Sequence, residues 1–191
     1  MLALQQTLDS RDGGHSRRVT ALAESFARLL AWDDLLVRRV RLGARLHDVG
    51  KLALPDALLT KPGPLTDEER DRLREHPLIG AGMIEALPQA AHALPTVLYH
   101  HERWDGYGYP AGRIGTEIPL EARLIAIVDA FDAMTSERSY RDSLHTAHAL
   151  AEIARCTGSQ FDPELAEIFI SARETGQLEL DVLVEVRVAG A

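Results

Sequence analysis

Eight histidines lie at positions 15, 47, 76, 92, 100, 101, 145 and 148. Three of them fall in two adjacent pairs of chemical interest, His47-Asp48 and His100-His101, and Asp129 sits on a later helical pattern. Neutral imidazoles with carboxylates are the ligands that borderline divalent metals prefer. His15, His47, Asp48, His76, His100, His101 and Asp129 therefore read as a metal cluster, and the chain as an enzyme. Taken singly, each residue has a plainer reading. A lone helical histidine is more often a surface or satisfied core residue, and an isolated HD dipeptide is weak. The His100-His101 pair is harder to dismiss, because adjacent histidines before a glycine-rich loop have little structural rationale. Asp129 interrupts an apolar stripe of Ile125, Val128 and Phe131, where an unpaired carboxylate is costly. Its alternative is an ion pair with Arg123 or Arg138.

The periodicity predicts elements that bring these groups together. Val19, Leu22, Ala23, Phe26, Leu29 and Leu30 form one helical stripe. A second helix is expected from about 35 to 51. On it, His47 and Asp48 point about 100° apart, so both can face an ion between them. Asp48 could bridge two ions through its two oxygens. Lys51, four residues after His47, shares its face, and Gly43, four before, leaves that face open. Pro55, Pro62, Gly63 and Pro64 mark a loop. Thr66 with Glu69 is a capping box that starts a helix near Asp67, expected to stop near His76 because Pro77 follows. Further helices are expected over 78–87, 95–101, from 120 past Met134, from a Ser143 cap to before Gly158, and over 164–173, the last capped by Asp162-Pro163. Residues 102–119, with four glycines and two prolines, form a long loop, and such loops are often functional. From 178 to 188 the apolar period becomes two, a strand signal without an evident partner, which points to an edge or an oligomer contact.

Composition limits the possibilities. With 191 residues and 46% apolar content, one domain with a sizeable core is expected. The net charge of −8 argues against coating a nucleic-acid polymer. It does not oppose a small phosphorylated substrate, since bound metals reverse the local sign. Cys156 is the single cysteine, so no internal disulfide or thiolate cluster is expected. No apolar run approaches the roughly 18–20 residues of a membrane span, and the start lacks a signal peptide. The sequence reads as a cytoplasmic protein without membrane attachment.

Six stretches go further: HDVGK at 47–51, LTKPGPLTDEE at 59–69, EHPLIGA at 75–81, HHERWDGYGYP at 100–110, IP at 118–119 and VDAFDAMTSERSYR at 128–141. In this order they resemble the HD-GYP domain, a subgroup of the HD-superfamily phosphohydrolases whose members hydrolyse cyclic di-GMP. The resemblance spans roughly residues 9–170. It implies an all-α, HD-domain-like helical bundle around a metal cluster, expected as a catalytic domain over 1–175; the alternating pattern makes 176–191 a tail with a possible short strand. It implies that His15, His47, Asp48 and Asp129 hold one divalent ion, and His76, His100 and His101 a second, with Asp48 bridging. The division of histidines between the ions stays open. Iron or manganese is the first expectation, though such a donor set also suits cobalt, nickel or zinc. Asp48 and Lys51 become catalytic residues, and Lys51, Tyr109, Arg138 and Arg141 substrate contacts.

One position departs from the pattern. Some family members carry a glutamate for a third metal four residues before the first histidine, and this chain has Arg11 there, so two metals are expected. His92, His145 and His148 match no ligand position and read as structural or exposed. Asp132, three residues after Asp129, reads as a residue that orients a ligand or pairs with an arginine. Trp104 is expected to order the loop by packing. The reaction expected is hydrolysis of cyclic di-GMP to pGpG, and onward to GMP, by hydroxide generated between the metals. Two alternatives stand beside it: a receptor that binds cyclic di-GMP without cleaving it, and another HD-superfamily nucleotide hydrolase. Diguanylate cyclase domains are candidate partners through the GYP loop, and a homodimer is the oligomer to test.

Overall fold

The computed structural model describes residues 14–136 and 146–178, and these form helices joined by short turns and one long loop. Helix α1 is His15–Leu29, α2 Asp34–Leu46, α3 Asp56–Leu59, α4 Asp67–Leu73, α5 His76–Glu85, α6 Leu94–Tyr99, α7 Leu120–Thr135, α8 Thr146–Arg155 and α9 Pro163–Glu174. Short 3-10 turns cover Val49–Ala53, Pro88–Ala93 and Gly115–Glu117. Among the described residues only two isolated β-bridges occur, so the all-α expectation holds there. No helix among them is long and apolar enough to cross a membrane. Arg11, Arg138, Arg141, Ser143, His145 and nearly all of the alternating segment lie outside the described residues.

Two apolar clusters make the interior. The larger gathers α1, α2, α7, α8 and α9 around Phe26, Phe131 and Phe169. The Phe169 ring meets the other two edge-on, with centroids 5.2 and 5.3 Å away, a favoured aromatic geometry. The smaller joins Leu46, Val49, Ile84, Ala90, Ala93 and Val97. Helix α2 serves both: Val37, Val40 and Ala44 enter the first cluster, and Leu46 the second.

The end of α2 differs from expectation. Asp33 caps its start by accepting from the Leu36 amide, but the helix stops at Leu46 and the chain tightens into a 3-10 turn. Asp48, with φ −96° and ψ 10°, therefore leaves the helical path, and Lys51 reaches Asp48 rather than lining up with His47. Gly43 does not hold open a ligand face. A Cβ there would lie 2.4 Å from the Thr96 hydroxyl, so this glycine lets α6 press against α2. Gly50 plays the same part for α5: a Cβ would lie 1.9 Å from the His76 carbonyl oxygen.

The capping box of α4 forms as the sequence predicts, with Thr66 and Glu69 satisfying each other's amides. His76, however, opens α5 instead of ending α4, with Pro77 in the first turn, where its missing amide costs nothing. The loop after His101 is ordered by Glu102, a buried carboxylate that accepts from the amides of Ala111 (2.7 Å) and Arg113 (3.1 Å). Trp104 packs near Gly115 and under Arg123, the ordering role expected of it. Its amide, with that of Asp105, donates to the carbonyls of Gln160 and Ser159, which fastens the loop to the turn before α9. Asp162 caps α9 through the amides of Glu164 and Leu165.

Candidate metal centre

The seven candidate ligands come from five separate segments and converge. His15 opens α1, His47 and Asp48 follow α2, and His76 opens α5. His100 and His101 follow α6, and Asp129 lies on α7. Ligand atoms of Asp48, His76, His100 and His101 all lie within 4.8 Å of one another, as do those of His15, His47 and Asp48. Asp48 belongs to both groups. Its Oδ2 is 3.4 Å from His47 Nε2, while its Oδ1 is 3.3 Å from His76 Nε2 and 3.8 Å from His100 Nε2. Asp129 Oδ1 lies 3.0 Å from His15 Nε2 and 3.9 Å from His47 Nε2.

Helix ends fix the orientation of three imidazoles. Nδ1 of His47 donates to the Ala44 carbonyl and Nδ1 of His76 to the Leu73 carbonyl, each at 2.7 Å. Nδ1 of His100 faces the carbonyls of Thr96 and Val97 at 3.1 Å. These carbonyls belong to the last turns of their helices, where backbone partners run out; the Thr96 carbonyl also accepts the His100 amide at 3.0 Å. With the proton on Nδ1, Nε2 is left as an acceptor facing inward. His15 is held differently, by the Asp132 carboxylate at 2.6 Å, and Arg18 grips the same carboxylate through Nε at 2.8 Å. Asp132 is thus an orienting group for His15, a partner of the kind that raises a ligand's basicity. Being one helical turn beyond Asp129 was the sequence sign of it. Glu102 had no comparable sign, since nothing local shows that its partners are nine and eleven residues ahead. Arg123, a candidate partner for Asp129, instead binds Asp162 at 2.5 Å.

Two observations test whether these groups suit a cation. His47 Nε2 and Asp48 Oδ1 are buried without a hydrogen-bond donor or acceptor partner, an arrangement that is costly for polar atoms. Nε2 of His76 and Nε2 of His100 face each other at 3.3 Å, both with Nδ1 committed elsewhere. Two lone pairs so placed repel unless a positive charge lies between them. The donor set fits divalent metal.

The electrostatics differ across the cluster. Burial opposes charge on His15, but Asp129 and Asp132 outweigh it and raise its pKa to about 9. Burial likewise opposes charge on His47, and Asp48 overcomes it. Burial pushes His100 down against the pull of Asp48, and pushes His101 down further, with His100 adding to the effect. Asp48 is itself held well below the usual carboxylate range: burial works against this, but Lys51 and His47 prevail. Lys51 Nζ is 2.5 Å from Asp48 Oδ2.

Tyr109 stacks on His101, with centroids 4.8 Å apart and planes 27° apart. Burial keeps its phenol protonated well above the usual range. A cavity of about 310 Å³ adjoins the cluster and is lined by His101, Asp129, Tyr109, Arg74, Arg103 and Gln160, among others. His92 and His148 are exposed and outside the cluster. Lys61 pairs with Glu69 at 2.6 Å.

A helical bundle that turns histidines and aspartates from its helix ends onto one point defines a class. The chain belongs to the HD domain family, whose model matches residues 4–165. The resemblance to HD-GYP domains is borne out by its relatives. It is 38% identical over 181 residues to a cyclic di-GMP phosphodiesterase response regulator of Xanthomonas campestris, covering 92% of this chain and 47% of that protein. It is 42% identical over 168 residues to a cyclic di-GMP phosphodiesterase of Pseudomonas aeruginosa, covering 87% and 40%. A cyclic GMP-AMP-specific phosphodiesterase structure from V. cholerae superposes with a TM-score of 0.71 at 19% identity, over 92% of this chain and 48% of that one, and so shares the fold. The chain spans less than half the length of these curated relatives.

Proposed function

We propose that this chain is a metal-dependent phosphodiesterase that opens cyclic di-GMP to pGpG and then cleaves pGpG to GMP, acting in the cytoplasm. The observation that carries the reading is the position of Asp48, with one oxygen toward His47 and the other toward His76 and His100. In this reading residues 1–175 are the catalytic domain and 176–191 a tail. His15, His47, Asp48 and Asp129 would hold one divalent ion. His76, His100 and His101 would hold the other with Asp48, and iron or manganese is favoured. Two such ions acidify water and offset phosphate charge.

The rest falls to the chain's own groups. Lys51 keeps Asp48 ionised and sets a cation at the edge of the cluster, where it can offset charge on the phosphate or give a proton to the departing oxygen. The protonated Tyr109 hydroxyl donates a hydrogen bond to the substrate. Arg138 and Arg141 are assigned to substrate on the resemblance, as they lie outside the described residues. Asp132 and Arg18 hold His15 in place. The names of the Xanthomonas and Pseudomonas relatives support the choice of substrate.

The test is incubation of metal-loaded protein with cyclic di-GMP and separation of the products by chromatography. The expected result is pGpG followed by GMP. Rapid turnover of mononucleotides with inert cyclic dinucleotide would overturn the reading in favour of another HD hydrolase. Tight binding without turnover would favour a receptor.

A further inference from the structure

Beside His101 and Asp129 the cavity is bordered by two side chains that play no part in the cluster, Arg103 and Gln160. Both are fixed. Asp105 grips Arg103 through Nε (3.0 Å) and one terminal nitrogen, Nη2 (2.6 Å), which sets the plane of the guanidinium. Its other terminal nitrogen, Nη1, lies 3.4 Å from Gln160 Oε1. A guanidinium has donors only, so Gln160 must turn its oxygen toward Arg103 and keep its amide N–H₂ for another acceptor. The Gln160 backbone is tied at both ends, its amide to the Cys156 carbonyl at 2.9 Å and its carbonyl to the Trp104 amide at 3.2 Å. The pair therefore offers two donors, Arg103 Nη1 and Gln160 Nε2, from a rigid support.

We infer that this cavity seats one base of the substrate and that Arg103 and Gln160 select guanine over adenine, an assignment that rests on the phosphodiesterase reading. Guanine presents two acceptors, O6 and N7, along one edge. Adenine presents N7 beside an amino group on the same edge, so one donor of the pair would face another donor. A volume of about 310 Å³ is at the low end for ligand sites, enough for one nucleotide arm but not for both bases. Because His101 and Asp129 line the same cavity, a nucleotide seated there brings its phosphate to the cluster.

The experiment compares kcat/KM for cyclic di-GMP, cyclic GMP-AMP and cyclic di-AMP in the metal-loaded wild type and in Arg103→Met and Gln160→Leu. The wild type is expected to prefer guanine, and each variant to lower the ratio of cyclic di-GMP to cyclic di-AMP about tenfold. Cyclic GMP-AMP should fall between them. Loss of activity equally on all three would mean that the variants only disturb the loop, and the inference would fall while the phosphodiesterase reading stands. If the wild type cleaves no cyclic dinucleotide, the phosphodiesterase reading falls instead. Calorimetric titration of the same proteins with GMP and AMP then decides the pocket. A preference for GMP that both variants lose supports it, and equal affinity overturns it.

Discussion

The two halves of the cluster are built from the same residue types and tuned in opposite directions. Around His15, His47 and Asp129, carboxylates approach the imidazoles closely and hold protons on them, to a pKa of about 9 at His15. Around His76, His100 and His101, burial outweighs the pull of Asp48 and neighbouring imidazoles add to it, so the pKa values of His100 and His101 are pushed down. A metal entering beside His15, whose two ring nitrogens both face carboxylates, must displace a proton, and one entering beside His100 and His101 meets neutral imidazoles. Part of this lies in the ligands themselves, since Asp129 belongs to the first half alone, and part in Asp132 behind His15. The difference comes from whether a carboxylate or another imidazole is the near neighbour.

The strongest test removes what the halves share. Asp48→Ala should strip both halves of metal, as read by elemental analysis, and lower turnover by more than the roughly 10–100-fold typical of losing an outer partner. An active Asp48→Ala protein would break the assignment. Next, His15→Ala and His101→Ala should each retain one of two metals, located by anomalous scattering at the metal edges. If either variant loses both, the halves are not separate sites. Asp132→Asn should weaken metal binding in the His15 half about 10–100-fold and spare the other; equal loss in both halves would erase the contrast.

A smaller effect is expected from pH in the metal-free protein. His15 has a folded pKa of about 9 against 6.5 ordinarily, so its ion pairs stabilise fully below the ordinary value and are lost as pH rises through about 9. His100 and His101, held low, have the opposite sign: they favour the unfolded state as pH falls through 6.5. Thermal melts should show a decline between pH 7 and 9.5 that His15→Gln reduces, with His47 supplying the remainder, and an unchanged decline in that variant would refute the charge assigned to His15. The smallest effect lies away from both halves. Thr66→Ala removes the α4 cap at about 1 kcal/mol and should lower the melting temperature by a few degrees without changing metal content.

Much of this was legible in the chain. Apolar spacing located α1 and α7, Thr66-Glu69 and Asp162-Pro163 marked helix starts, and the HD, HH and GYP stretches pointed to the ligands. What spacing could not show was where α2 ends. The weak helix formers His47, Asp48, Val49 and Gly50 let the chain leave the helix, and the close approach of Gly50 to the α5 backbone accompanies the 3-10 turn, so Lys51 meets Asp48 instead of sharing the face of His47. Gly43 was misread for the same reason, because its neighbour Thr96 is 53 positions away. The tuning of the two halves was hidden too. It depends on distances between segments, such as His15 to Asp132, that no local pattern encodes.

Gly50 brings one more consequence. Main chain touches main chain where the turn after Asp48 meets the start of α5, so the gap between Asp48 and His76 is a backbone dimension. Evolution can exchange the ligands on either side and change which ion is held. It cannot widen or narrow the gap by choosing a longer or shorter side chain. The ruler is in the peptide backbone, and any residue larger than glycine at position 50 would reset it.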